Sequence, residues 1–227
     1  MKTYWYLTRS SGAVSLILLT AALVIGIALV GRVRSERWPR FAVDGIHRAV
    51  SLLAIVFLAV HIITAVLDSF APISLLDAVI PFAGTYRPVW LGLGAAAFDL
   101  LLAVTITSVL RERLGYRAWR AVHWLAYAVW PLAIVHGLAT GSDLHQGWMT
   151  AIYIACAATF AAAVLTRVVM GWPAQARLRL AAIGALVAFA AGLAVWLPGG
   201  PFGPNWARRA GTPPSLLPHT VSQPSPG

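Results

Sequence analysis

Four of the six histidines in this 227-residue chain fall into a matched pattern. His47 and His61 stand 14 residues apart at the ends of HRAVSLLAIVFLAVH, and His123 and His136 stand 13 apart at the ends of HWLAYAVWPLAIVH. At 1.5 Å per helical residue each pair spans roughly 20 Å, most of the hydrocarbon thickness of a bilayer. A neutral imidazole in hydrocarbon has a donor and an acceptor to satisfy, so histidines inside membrane segments are rare and mostly functional. Four at two matched depths point to bound ligands. With both helices entering from the same side, His47 faces His123 near one boundary and His61 faces His136 near the other.

Each pair offers two nitrogens and no neighbouring carboxylate or thiolate. Zinc usually takes four protein ligands, or three plus water, and fits poorly. Haem iron already has four equatorial nitrogens and needs two axial ligands, and bis-imidazole ligation favours electron transfer over oxygen binding. Two haem b groups are therefore expected, an inner one on His47 and His123 and an outer one on His61 and His136, forming a wire across the membrane. Fourteen residues at 100° fall about 40° short of four turns, so His47 and His61 share a helix face. Thirteen residues leave His123 and His136 about 140° apart on an ideal helix, a poor match. Pro131 lies between them and is expected to kink the helix and turn its outer half.

The elements that must hold these residues are legible from composition: 59% of residues are hydrophobic and 11% charged. Six windows of about 20 apolar residues, each able to cross hydrocarbon, lie at 11–31, 42–67, 88–110, 118–140, 148–170 and 178–198. The expected fold is an all-α integral membrane protein, a six-transmembrane-helix bundle over residues 1–198 with the haems between helices 2 and 4 of the six. Residues 199–227, rich in Pro, Gly and Ser, are expected to be a disordered tail. The first window is kept as a span rather than a cleaved signal: it is long enough, lacks a small-x-small cleavage site and is followed by Arg32, Arg34, Arg37 and Arg40.

A net charge of +10 would suggest nucleic acid in a soluble chain, but here the basic residues track the membrane. Arg32, Arg34, Arg37, Arg40 and Arg48, then Arg111, Arg113, Arg117 and Arg120, then Arg167, Arg177 and Arg179 fall on one side, assigned to the cytoplasm. Lys2, Arg9, Arg87, Arg208 and Arg209, offset by Asp68, Asp77 and Asp143, fall on the other, so both termini are expected on the outer face of a multi-pass cell-membrane protein. Trp38, Trp119 and Trp172 sit at inner boundaries and Trp5, Trp90, Trp148 and Trp196 at outer ones.

Other residues carry weaker signals. Arg48 and Arg120 flank the inner pair and are expected either to meet haem propionates or to serve as positive-inside anchors. Asp99 lies inside the third span, as a proton relay or as a protonated carboxyl bonded by Thr105 or a neighbouring helix. His145 in GSDLHQGW is expected to be exposed, and His219 in the tail has no assigned role. Cys156 is the sole cysteine, so the chain alone forms no disulfide, cysteine-based zinc site or iron–sulfur site, and packing is its expected role. PISLLDAVIPF is too short to span and is expected to lie on the outer surface. No Gly-rich phosphate loop follows a strand; GALVAFAAG falls inside the sixth span.

The histidine pairs, with TSVLRERLGYRAWR leading into WRAVHWLAYAVWPLAIVHG, resemble the ferric reductase-like transmembrane domain superfamily over roughly residues 10 to 170. That superfamily includes NADPH oxidases, ferric reductases and the haem-binding membrane subunit of bacterial methionine sulfoxide reductase. The resemblance implies two b-type haems on the same four histidines. NADPH oxidases continue into a cytoplasmic FAD and NAD(P)H domain, whereas this chain adds a sixth helix and an outward tail and resembles the stand-alone bacterial members. FAD, FMN or quinone would then act only through a partner, a flavoprotein or quinol donor on the inner side, with an outer-face acceptor protein, ferric iron or oxygen beyond. Three alternatives stay open: a quinone-coupled cytochrome b, for which Asp99 is the one sequence hint; a proton or metal transporter using the histidines; and a haem-free scaffold. Against the transporter stand the lack of an internal repeat and of paired broken helices.

Overall fold

The computed structural model describes residues 2–30, 39–170 and 173–217, all helix, turn or coil with no strand among them. Helix α1 (Lys2–Val30) is followed by α2 (Arg40–Leu67), a single turn α3 (Leu75–Val79) and α4 (Pro88–Val109). Then come α5 (Arg111–His123), α6 (Ala126–Thr140), α7 (Gly147–Val169), α8 (Ala176–Gly199) and the short α9 (Trp206–Arg209). Five of these are long and apolar enough to cross a membrane, and up to six spans result if the bent pair α5 and α6 counts as one. Their lipid-length apolar surfaces remain uncovered by protein: Val195, Val187 and Leu178 on α8 and Val56 and Leu52 on α2 are all more than half exposed. In water such a belt would be untenable; against hydrocarbon it costs nothing.

Two helix pairs frame the molecule. The first is α1 against α2, and the second is α4 against α6, while α1 also meets α6 and α7. The core lies where α1, α6 and α7 meet, around Leu16, Trp130, Ile134, Leu138, Cys156 and Phe160. Trp130 stacks flat on Phe160 with centroids 4.0 Å apart and donates its indole N–H to Thr20 Oγ1 at 2.8 Å. Cys156 is buried in this cluster, as a packing role requires.

Helix α1 starts well before the expected residue 11, because its first turns have partners. Thr8 Oγ1 donates to Thr64 Oγ1 at 2.9 Å, and Arg9 pairs with Asp143 while its guanidinium lies 3.7 Å over the Trp5 ring. A cation inside a span is tolerable only with such compensation.

The fourth expected span is not one helix. Residues Trp124 and Leu125 separate α5 from α6, with a bend of 42° between them, so the break falls before Pro131 rather than at it. Across it Leu125, Tyr127 and Ala128 donate to Val122, Trp124 and Leu125, an i to i−3 pattern. A 3₁₀ turn winds about 120° per residue instead of 100°, so about four such residues add roughly 80°. That rotation moves His123 and His136 from about 140° apart to about 60°, which removes most of the penalty of the 13-residue spacing.

The tail also differs from expectation. Residues 199–217, which composition assigned to disorder, fold back over one end of the bundle. Arg87 donates its backbone N–H to Gly211 O at 3.0 Å and its Nε to Thr212 Oγ1 at 3.0 Å. Its Nη1 reaches the last carbonyls of α6, Ala139 at 2.9 Å and Thr140 at 3.3 Å, and Trp206 Nε1 also donates to Ala139 O at 2.9 Å. A guanidinium on the unsatisfied carbonyls of a helix C-terminus complements both their lone pairs and the helix dipole. Arg32, Arg34, Arg37, Trp38, Trp172, His219 and the rest of the tail lie outside the described residues.

Candidate functional site: two imidazole pairs between helix layers

The four histidines project from α2 and from α5 and α6, three of them backed by a carbonyl of a neighbouring helix. His61 Nδ1 bonds Thr8 O on α1 at 2.7 Å, and His47 Nδ1 bonds Ala22 O on α1 at 3.0 Å. His136 Nδ1 bonds Trp90 O on α4 at 2.9 Å. A carbonyl only accepts, so in all three rings Nδ1 carries the proton and Nε2 is left as a bare lone pair. A neutral imidazole held by its Nδ1–H with Nε2 unprotonated is the form that ligates metal.

At the first of the two levels, the rings of His61 and His136 lie 6.4 Å apart, centroid to centroid, with planes at 86°. Two metal–imidazole bonds of about 2.0–2.1 Å, with each ring centre roughly 1.1 Å behind its nitrogen, would place the centroids about 6.3 Å apart. The centroid separation of the pair matches that of two imidazoles sharing one metal. Among the described residues no group of three or more His, Cys, Asp or Glu is placed to hold a metal ion, so a bare cation would lack ligands. A metal that brings its own equatorial ligands fits.

The second level is built differently. His47 lies within electrostatic reach of His123, but His123 Nδ1 is buried without a hydrogen-bond partner. Its ring is held by Trp119, whose centroid is 4.9 Å away at 30°, and Trp119 Nε1 in turn donates to Ser108 Oγ at 3.2 Å.

The remaining expected residues sit further out. Arg48 is exposed and paired with Asp44 one turn back at 3.1 Å, and Arg120 is exposed, 6.0 Å from the Tyr116 ring. Thr105 Oγ1 donates to Leu101 O at 2.8 Å, on its own helix. His145 is exposed, edge-on to Phe202 at 5.5 Å.

Composition and spacing of the histidines missed three glycines that touch them. A Cβ at Gly94 would fall 2.5 Å from His136 Nδ1, one at Gly12 2.9 Å from His61 Nδ1, and one at Gly26 3.3 Å from His47 Cε1. One signal was present: Gly12 and Gly26 are 14 apart, the same interval as His47 and His61 on the antiparallel neighbour.

Residues 11–134, more than half of the chain, match the family described as "Ferric reductase like transmembrane component". Over 117 residues the chain is 33% identical to the protein-methionine-sulfoxide reductase heme-binding subunit MsrQ of Caulobacter vibrioides, covering 50% of this chain and 52% of that protein. The chain thus spans about half the length of that curated relative. No solved structure matches.

Proposed function

Because the chain belongs to the ferric reductase-like transmembrane component family, we propose that it is a dihaem b-type membrane cytochrome, the electron-carrying subunit of a larger oxidoreductase. The observation that carries this reading is the outer pair: two imidazoles 6.4 Å apart, each with Nδ1 tied to a helix carbonyl. The relative's name, a heme-binding subunit, supports the same cofactor and a separate catalytic partner.

His61 and His136 would hold the outer haem through Nε2, and His47 and His123 the inner one. When bound, each haem supplies a one-electron couple between ferric and ferrous iron. Thr8, Ala22 and Trp90 keep three of the imidazoles in the ligating tautomer through their carbonyls. Helices α1 and α4 back the imidazoles they bond, and with two imidazoles to hold it each haem would serve electron transfer rather than oxygen binding. Arg48 and Arg120 stand at the inner boundary, where propionate carboxylates would draw them; the exposed Arg48–Asp44 pair is worth little and is readily exchanged.

The distribution of arginines supports an inner His47–His123 end and both termini outside, with six spans counting α5 and α6 as one. Electrons then run from a flavoprotein or quinol on the cytoplasmic side to an acceptor on the outer face. The test is a pyridine haemochrome assay with oxidised and dithionite-reduced spectra on the detergent-purified chain, and on His61→Ala and His136→Ala. About two b-type haems per chain, falling to about one in either variant, are expected from bis-histidine ligation. A folded chain without haem would overturn the proposal.

A further inference from the structure

The three anchoring carbonyls and the three contacting glycines obey one rule. Thr8 precedes Gly12 by four residues, Ala22 precedes Gly26 by four, and Trp90 precedes Gly94 by four. In an α-helix the carbonyl of residue i accepts from the N–H of i+4, and the Cβ of i+4 tilts back over it. A carbonyl oxygen has two lone pairs, so one is spare, yet any side chain at i+4 covers it. Glycine at i+4 uncovers it. An imidazole can then lie against the helix at that point and donate Nδ1–H to the spare lone pair, as His61, His47 and His136 each do.

We infer that Gly12, Gly26 and Gly94 are positioning residues for the histidine ligands, each opening the carbonyl that fixes one imidazole's tautomer and ring orientation. The inference rests on the haem reading for its electronic consequence, but not for the hydrogen bonds themselves.

The fourth ligand is the exception that gives the rule content. Fourteen residues beyond Gly94, at the other level of α4, stands Ser108, four residues after Val104. Ser108 Oγ donates to Val104 O at 2.6 Å and Thr107 Oγ1 to the same oxygen at 3.2 Å, so that carbonyl is already taken by its own helix. His123 Nδ1 has no partner. Both outer imidazoles are therefore carbonyl-bonded and only one inner imidazole is. An Nδ1–H bond to a carbonyl raises the basicity of Nε2, which favours ferric iron. Losing the bond raises the reduction potential of the level concerned.

The full chain is purified in detergent as Gly94→Ala, Gly12→Ala and Gly26→Ala, with Gly184→Ala as control, since nothing lies within 4 Å of a Cβ at Gly184. Haem affinity, low-spin EPR signals and optically monitored redox titrations are recorded. Haem affinity is expected to fall by about 10- to 100-fold in the worst case, as for other changes to groups that orient metal ligands. The order should follow the intruding Cβ distances of 2.5, 2.9 and 3.3 Å: Gly94 most, then Gly12, then Gly26. Gly94→Ala and Gly12→Ala should raise the outer potential and shift its EPR signal, and Gly26→Ala the inner. Parental affinity, EPR and potentials in folded Gly94→Ala would overturn the inference; should that variant not fold, the milder Gly26→Ala decides in the same way. If the parent binds no haem, the dihaem proposal fails and ¹⁵N spectra of the histidine side chains decide this one. Nδ1-protonated His136 that changes in Gly94→Ala supports it; Nε2-protonated His136, or an unchanged resonance, overturns it.

Discussion

The His61–His136 level and the His47–His123 level lie on the same helices, yet the chain invests in them unequally. Around the first, both imidazoles are bonded to helix carbonyls, Arg9 is paired with Asp143, and residues 200–217 are fastened over the end of α6 by Arg87 and Trp206. Around the second, one imidazole is bonded and the other is held by stacking on Trp119, and the arginines Arg48, Arg111, Arg113, Arg117 and Arg120 stand exposed. The difference teaches that, among the described residues, a similar histidine spacing can be built in two ways: one with both rings bonded to helix carbonyls, the other with one ring held by stacking beside exposed arginines.

The comparison breaks most severely where a ligand is removed. His61→Ala and His47→Ala should each abolish one level only, seen as loss of about half the haemochrome signal, and loss of both signals from a single substitution would show the levels to be one cooperative unit. Next comes the shared core between the levels. Trp130→Ala removes a 2% exposed indole, its stacking on Phe160 and its bond to Thr20, and should cost about 3–5 kcal/mol, measurable as a fall in the thermal midpoint with both levels affected alike.

At the His61–His136 end, Asp143→Asn removes the charge that pairs with a mostly buried Arg9 and should cost about 1–3 kcal/mol, perturbing the outer spectrum before the inner. At the His47–His123 level, Ser108→Ala removes the acceptor of Trp119 Nε1, loosening the ring that lies against His123, and should shift the inner spectrum while leaving the outer one alone. An unchanged inner spectrum would mean that stacking alone fixes that ring. Smallest of all, Arg48→Gln breaks an exposed pair with Asp44 and should change stability by less than about 0.5 kcal/mol.

Much of this was readable in advance. The spans announced themselves as apolar runs, and all four histidines as polar intrusions at matched intervals. What stayed hidden depended on pairing between elements. The break at Trp124–Leu125 involves a few residues of tighter winding, too short to alter any hydrophobic period, so Pro131 drew attention that belonged upstream. The ordering of residues 199–217 comes from Arg87 and Trp206 reaching carbonyls on α6, which no tail composition reveals. The glycines are the intermediate case: their 14-residue interval on α1 is visible, but its meaning requires α1 and α2 to be antiparallel and in register.

The clamp made by Arg87 also sets a sequence of events during biosynthesis. His61 has its supporting carbonyl, Thr8, as soon as α2 exists, and His136 has Trp90 as soon as α6 exists. Thr212, Gly211 and Trp206 are among the last described residues to be made, so the latch over Ala139 and Thr140 closes only after every span has been inserted. A chain paused after α7 would have both histidine pairs assembled while the rim beyond His136 was still unlatched.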